Sequence, residues 1–404
     1  MPANAHGIGK QVRYKQEVTW NVAPAAAGAQ LLRRVTFMPK LTKSSSESGE
    51  IVSHRQRSGT RHGGRGVEMA LSGKLSPGTY KDFMAAAVRR AFTTVTAIAG
   101  ASITIAGAGP TYTVTRAAGS WLTDGIKVGQ IGRLTAGAFN AANTNKNLAV
   151  LVVTALVLTV IPMNGVALVA EGPIAAATWS VPGKVTYAPG TGHTDLSFSF
   201  EDWHPDNTQS ELFTGNKVGD FGITVPQDGN VEIAVSFMGA DQTNATAAYF
   251  TTPTAESSTT ICHSADGVIV AATGELAYVT GLTLSVKDNL TPDGVVGSRI
   301  RSSINQGQIL VDGQITAFFP DTQLRDYFIN ETQVSLFGAF ATAESAAADF
   351  VSFAMPLSKF NSADKDDGDK SIVRTLPFTS DYNASGGAGV STEQTSIYIQ
   401  DSQA

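Results

Sequence analysis

From Val67 to Gly73 apolar and polar side chains alternate, with Val67, Met69 and Leu71 on one parity and Glu68, Ala70 and Ser72 on the other. Successive side chains of a strand face opposite ways, so the stretch predicts a strand with one core face and one wet face. A turn at Pro77-Gly78-Thr79 follows, with Thr79 as candidate N-cap, and Phe83, Ala86, Ala87 and Arg90 then recur at helical spacing. The pattern returns 244 residues later without a gap. Val67 aligns with Val311, Glu68 with Asp312, Leu71 with Ile315, Ser72 with Thr316, Asp82 with Asp326 and Phe83 with Tyr327. Here Pro320-Asp321-Thr322 opens the helix carrying Leu324, Phe328 and Ile329. Upstream, Ser53 and Arg55 stand against Gly297 and Arg299, and Val35-Thr36-Phe37 resembles Leu282-Thr283-Leu284 once about three loop residues are removed. Each unit thus reads as a β-branched strand, a long polar loop (Leu41 to Gly66, Lys287 to Ile309), an alternating strand and a short helix, which predicts an internal duplication. The competing reading is two amphipathic strand-helix units that are alike by chance.

The pattern divides the rest of the chain. Residues 1–30 have little periodicity and read as an extended arm, and 31–94 hold the first unit. Residues 95–187 are nearly uncharged and rich in Ala, Gly, Thr and Val. Short apolar runs at 102–105, 112–115, 130–134, 148–153, 157–161 and 175–181, separated by Gly and Asn turns, predict an inserted small barrel or sandwich. An exposed loop accepts an insertion most readily, so the insert is expected to project outward. Residues 188–276 continue the core through the alternations Leu196/Phe198/Phe200 and Val231/Ile233/Val235/Phe237. Residues 277–360 hold the second unit and 361–404 a C-terminal arm with a final strand near Ser396 to Gln400. The most apolar run, Leu148 to Ile161, is too short to span a bilayer and reads as two strands joined near Thr154-Ala155.

Composition agrees with a mainly β chain: 42% hydrophobic, 16% charged and 40 Gly in 404 residues. The single cysteine, Cys262, excludes an internal disulfide framework and reads as a buried thiol despite its neighbour His263. Met1 to Lys10 has no apolar segment, so no signal peptide is expected. The net charge of −5 conceals an asymmetry. Residues 1–90 carry 15 Lys/Arg against 5 Asp/Glu, so the remainder is strongly acidic. Such halves attract within a chain or between copies. The densest local run of basic charge is Ser53 to Arg65, which mixes Arg with Gly but lacks the aromatics of a base-stacking segment; docking on an acidic neighbour fits it better.

Catalytic chemistry is sparse. The six histidines form no metal-ligand spacing. Asp364 to Asp369 has Ala363 and Lys365 where a calcium loop needs its first ligands, and reads as a solvated turn. Asp202-Trp203-His204 supplies an acid and a base with no serine elbow, leaving a hydrolase as a minor alternative with Asp202 and His204 as its residues. No cofactor is expected.

One family resemblance covers most of the chain. The long loop with Gly49-Glu50-Ile51-Val52-Ser53-His54-Arg55, the strand Val67 to Gly73 and the helix Tyr80 to Met84 resemble the tail tube proteins of long-tailed bacteriophages. Trp121-Leu122-Thr123-Asp124-Gly125-Ile126-Lys127-Val128-Gly129-Gln130 is similar to a small β-domain inserted in such proteins. Arg374-Thr375-Leu376-Pro377-Phe378, with Gly386 to Gly389 and Ile399-Gln400-Asp401, is similar to their C-terminal end. The resemblance implies duplicated tail-tube-type β-sandwich modules, each with a short helix, plus the inserted β-domain. It further implies a non-enzymatic virion protein, assembled in the host cytoplasm, whose rings stack into the conduit for DNA. Two modules per chain would make a ring of three copies. Partners would be the chain itself and the tape-measure, tail tip and tail terminator proteins, with DNA passing unbound and no membrane involved. Glu50, Arg55, Arg57, Arg61, Arg65, Arg299 and Arg301 are the candidate ring-stacking residues, and Glu68 and Asp312 the lumen candidates. The alternative is another virion surface module: a fibre, decoration or adhesin.

Overall fold

The computed structural model describes residues 4–54, 56, 59–272, 274–276, 278–318, 323–366 and 371–404. The chain begins with β1 (Gln11–Gln16), β2 (Ala27–Leu31), β3 (Thr36–Glu47), β4 (Thr60–Lys74) and helix α1 (Lys81–Ala87). It then enters the insert, where β5 (Ile98–Ala106), β6 (Tyr112–Arg116), β7 (Ile131–Ala136), β8 (Leu148–Val153), β9 (Val157–Pro162) and β10 (Glu171–Ser180) close into a barrel. It returns through β11 (Lys184–Tyr187) to β12 (Phe198–His204), β13 (Gln209–Val225) and β14 (Glu232–Gly239), and continues through β15 (Asp241–Ala245) and β16 (Thr252–Thr254). Next come β17 (Gly267–Ala271), β18 (Gly274–Glu275), β19 (Val279–Lys287), β20 (Thr291–Asp293), β21 (Ser303–Asn305), β22 (Leu310–Phe318) and helix α2 (Gln323–Ile329). The chain ends with β23 (Val334–Ala341), β24 (Phe350–Phe360), β25 (Asp364–Lys365), β26 (Val373–Ser380) and β27 (Tyr398–Asp401).

The antiparallel pairings occur twice. In the first half they run β2-β1-β12-β13-β14-β4-β3. In the second they run β18-β17-β23-β24-β26-β22-β19. Register repeats as well, since Val67 lies between Leu41 and Gly239 as Val311 lies between Val286 and Ser380. The two units join through β13 and β19, giving one continuous wall, β3-β4-β14-β13-β19-β22-β26. β13 belongs to two layers: its first half pairs with β12 and β15, and its second with β14 and β19. It turns the corner through Gly215 (φ 71), whose positive φ is cheap only for glycine, and a register shift between Val218 and Asp220.

The alternating residues do what their parity requires. Val67, Met69 and Leu71 are buried, while Glu68 and Ala70 are exposed. Phe83 of α1 fills the core between wall and back layer, with ring centroids 5.4 Å from Phe198, 5.2 Å from Phe237 and 4.9 Å from Tyr14. Tyr14 lies where the sequence reads as an arm. β1 is nonetheless a core strand, paired with β12 over six residues, because Val12 and Tyr14 bury their side chains on either side of Arg13.

Three local expectations are corrected. Thr79 is not the cap of α1: its hydroxyl pairs with Ser76 Oγ at 2.7 Å, and Tyr80 takes the N-cap position without a side-chain bond, leaving Arg90 beyond the helix end. The ungapped alignment fails in the helices. The helix ends correspond at an offset shorter by two, since Val88 N donates to the Met84 carbonyl and Arg90 N to Ala85 as Asn330 N does to Asp326 and Thr332 N to Tyr327, so Asp82/Asp326 and Phe83/Tyr327 are not equivalent in space. α2 consequently buries Leu324 but leaves Phe328 and Ile329 exposed; Pro320-Asp321-Thr322 lies outside the described residues. The first polar loop is largely a β-ribbon, with β3 and β4 paired from Thr36/Ser72 out to Glu47/Thr60. Both faces of its outer part are wet, so backbone pairing there needs no apolar alternation.

The barrel is not independent of the core. Its apolar interior, including Trp121 and Trp179 in edge contact at 5.7 Å, runs into Val268, Phe337, Phe350 and Tyr398 on the back of the second unit. Gln400 locks the two together, accepting from Ile131 N (2.9 Å) and donating to the Ile131 and Pro182 carbonyls (each 3.0 Å). Inserted in one unit, the barrel is thus docked on the other.

Candidate functional site

The wall presents its wet parity as a continuous surface. Around the centre it is made of small or hydroxyl side chains: Ala70, Ser72, Ala234, Ser236, Thr283 and Ser285. Two of its lysines are neutralised in place, Lys74 by Glu232 (2.5 Å) and Lys287 by Asp312 (3.4 Å), while Asp220 keeps its charge and accepts from Ser236 Oγ (3.3 Å). Glu68 and Asp312 hold equivalent positions on β4 and β22, their side chains 55% and 40% exposed. The surface therefore offers little fixed positive charge.

The second feature is the seam between units. Six residue pairs, from Asp220/Lys287 to Val225/Leu282, join β13 to β19, and Phe221/Val286 and Ile223/Leu284 close the core beneath. Behind the seam Arg89, just past the end of α1, reaches Asp288, just past the end of β19. Its Nη2 donates to Asp288 Oδ1 at 2.9 Å and to the Gly307 carbonyl at 2.7 Å. Both partners are buried. Burial pushes the Asp288 carboxyl up to about 7, against the pull of Arg89. Nothing in the sequence marks this pair, because its members lie 199 residues apart and carry no local motif.

The wall ends in two open edges. Among the described residues β3 pairs with β4 alone and β25 with β26 alone. Leu41 and Ala363, one at each edge, are only partly covered apolar side chains of the core.

The ring-stacking candidates separate into two groups. Arg61 and Glu50 lie exposed on the outer ribbon, where Glu50 accepts from Ser48 Oγ at 3.1 Å. Arg65, Arg299, Arg301 and Glu68 come together at its root. Arg65 binds Asp241 at 2.8 Å, its backbone N donates to the Arg299 carbonyl at 2.7 Å, and the Arg299 side chain is exposed. Arg301 donates to the Val67 (3.2 Å) and Gly239 (2.9 Å) carbonyls and stands 3.9 Å from Glu68; burial lowers its pKa and Glu68 partly offsets this. Arg55 and Arg57 lie outside the described residues.

The other chemical candidates have structural surroundings. Asp202 holds Lys10 at 2.5 Å, with His204 at 3.5 Å. Cys262 is buried, which pushes its thiol well up, away from a reactive thiolate. Among the described residues no group of three His, Cys, Asp or Glu side chains is placed to hold a metal, and no helix is long and apolar enough to cross a membrane.

The wall thus combines joined strands, a near-neutral wet face and two open edges. The profile of a family described as phage tail tube protein matches residues 7–380. The chain belongs to that family. Its members are structural components of the virion that assemble into a tube, so the wall, seam and edges are the features to read for function. A search of curated proteins finds no match.

Proposed function

We propose that three copies of this chain close into a pseudo-hexameric ring of six units, that rings stack into the tail tube, and that viral DNA passes through the lumen during ejection. The observation that carries this reading is the seam: the wall already contains one unit-to-unit junction, and its edges, β3 and β25, are the strands that a second such junction would join. Joining them laterally also satisfies open edges that otherwise invite uncontrolled pairing. Head-to-tail stacking then extends rings into a filament. On this reading the first tube module is built from β1 to β4, α1 and β12 to β14, the second from β17 to β19, β22 to β24, α2 and β26, and residues 95–187 are the insert, so the two terminal stretches 1–30 and 361–404 supply module strands rather than arms.

The wet face of the wall lines the lumen, with Glu68 and Asp312 among its charges. DNA must slide, and fixed cations would hold its phosphates through counterion release, so a neutral to acidic wall keeps it mobile. The outer ribbon, with Glu50 and Arg61, the stretch of sequence between them that carries Arg55 and Arg57, and the loop of Arg299 reach the next ring. Arg65 and Arg301 brace the root of that ribbon. The tape-measure, tail tip and tail terminator proteins would meet the two ends of the tube, assembled in the host cytoplasm. Negative-stain end-on views of purified protein test the ring: a central hole with three peripheral lobes is expected, and six equivalent lobes would overturn the trimer.

A further inference from the structure

The seam inside the chain is a template for the seam between chains. β24 and β25 stand in the second unit where β13 stands in the first: Lys359 pairs with Thr379 as Lys217 pairs with Met238, and Asp364 with Thr375 as Gly222 with Ala234. β3 likewise stands where β19 does. Gly222 faces Ser285 across the internal seam, and Ser285 occupies the position of Lys40. A neighbour's β3 laid on β25 in that register sets Lys40 opposite Asp364, a favourable cross-strand pair.

The ion pair behind the seam has a counterpart too. α1 ends with Val88 N donating to the Met84 carbonyl, Arg89 N to Ala86 and Arg90 N to Ala85; α2 ends with Asn330 N donating to Asp326, Glu331 N to Phe328 and Thr332 N to Tyr327. Arg89 (φ 57) and Glu331 (φ 49) are both left-handed at the same place in this motif. Glu331 is therefore the equivalent of Arg89. Asp288 follows Lys287, which pairs with Leu310 as Thr42 pairs with Gly66, so its equivalent is Lys43. Lys43 and Glu331 are both exposed, and neither has an ion-pair partner among the described residues. The longer lysine offsets the shorter glutamate, leaving the combined side-chain reach of Arg and Asp unchanged bond for bond.

We propose that the junction between subunits is a charge-reversed copy of the junction within the chain, with Glu331 of one copy paired to Lys43 of the next. The inference rests on the ring reading and deepens it. β13 and β19 are already joined within each chain, so β3 and β25 are the edges left to meet, and the reversed pair stands behind the place where they would join.

The test uses the full chain, with ring fraction measured by sedimentation velocity and checked in end-on micrographs. Glu331→Lys and Lys43→Glu alone are each expected to lower the ring fraction at fixed concentration by about tenfold or more, and together to return it to within about threefold of wild type. Both positions are exposed in the single chain, so unchanged melting temperatures show that the singles fold. Singles that assemble like wild type, or a double no better than the worse single, overturn the charge-reversed seam while leaving the ring. A wild-type chain that forms no ring overturns both.

Discussion

Arg89→Ala probes the junction that the chain builds within itself. The substitution removes every donor to the Asp288 carboxylate that Arg89 supplies, the Nε bond at 3.1 Å and the Nη2 bond at 2.9 Å, and leaves the carboxylate buried. Breaking a buried pair from one side costs about 3–5 kcal/mol. With an unfolding entropy of about 2.1 cal/mol/K per residue, the 404 residues carry about 0.85 kcal/mol/K, so the melting transition should fall by about 4–6 °C at pH 8. The loss should shrink toward pH 5.5. Burial already raises the Asp288 carboxyl to about 7, and without Arg89 it rises further, so at low pH the carboxyl accepts a proton instead of remaining a buried unpaired charge. Differential scanning calorimetry of wild type and variant across pH 5.5 to 8 measures this. A fall of under about 1 °C at pH 8, or an equal fall at both ends of the range, would refute the argument that this pair holds the seam.

Four further outcomes are expected. Burial raises the Asp401 carboxyl from 3.8 to about 6 even though Gly78 N and Gln403 N donate to it; the folded state thus holds this proton more tightly than the unfolded chain, and its contribution to stability fades as pH rises from about 4 through about 6. Asp401→Asn should flatten the pH dependence of the melting temperature in that window, and an unchanged slope would count against it. Gly73→Ala places a Cβ 1.9 Å from Tyr80 Oη, displacing the tyrosine from its 2.9 Å bond to the Arg33 carbonyl, for a loss of about 1–3 kcal/mol by denaturant titration. Deleting the barrel, residues 98–180, should expose Phe337, Phe350 and Tyr398 and yield aggregates on size-exclusion chromatography; a monodisperse product would show the docking contact to be dispensable. Replacing Glu68 and Asp312 together with Lys should leave tube length unchanged in micrographs yet lower phage titre, and full infectivity would exclude these positions from the lumen wall.

The alternation from Val67 to Leu71 alone assigned a core face and a wet face, because side-chain parity is a property of the strand itself. The short apolar runs between 95 and 187 similarly announced the strands of the barrel, and Leu148 to Ile161 two of them with a turn between. The likeness of Val67 to Gly73 and Val311 to Thr316 pointed to a repeated unit, whose pairing and register the fold displays. Other features were decided only in three dimensions. The outer ribbon, with its polar residues on both faces, looked like a loop; β1, whose one short alternation carries Arg13 between Val12 and Tyr14, looked like an arm. The barrel sits in one unit's sequence but docks on the other, and Arg89 meets Asp288 across the seam. Strands pair through backbone groups that nearly every residue carries alike, and ion pairs form between whichever charges the fold brings near. Sequence therefore records which face of an element is buried, while the partner of that element is written only in the tertiary structure.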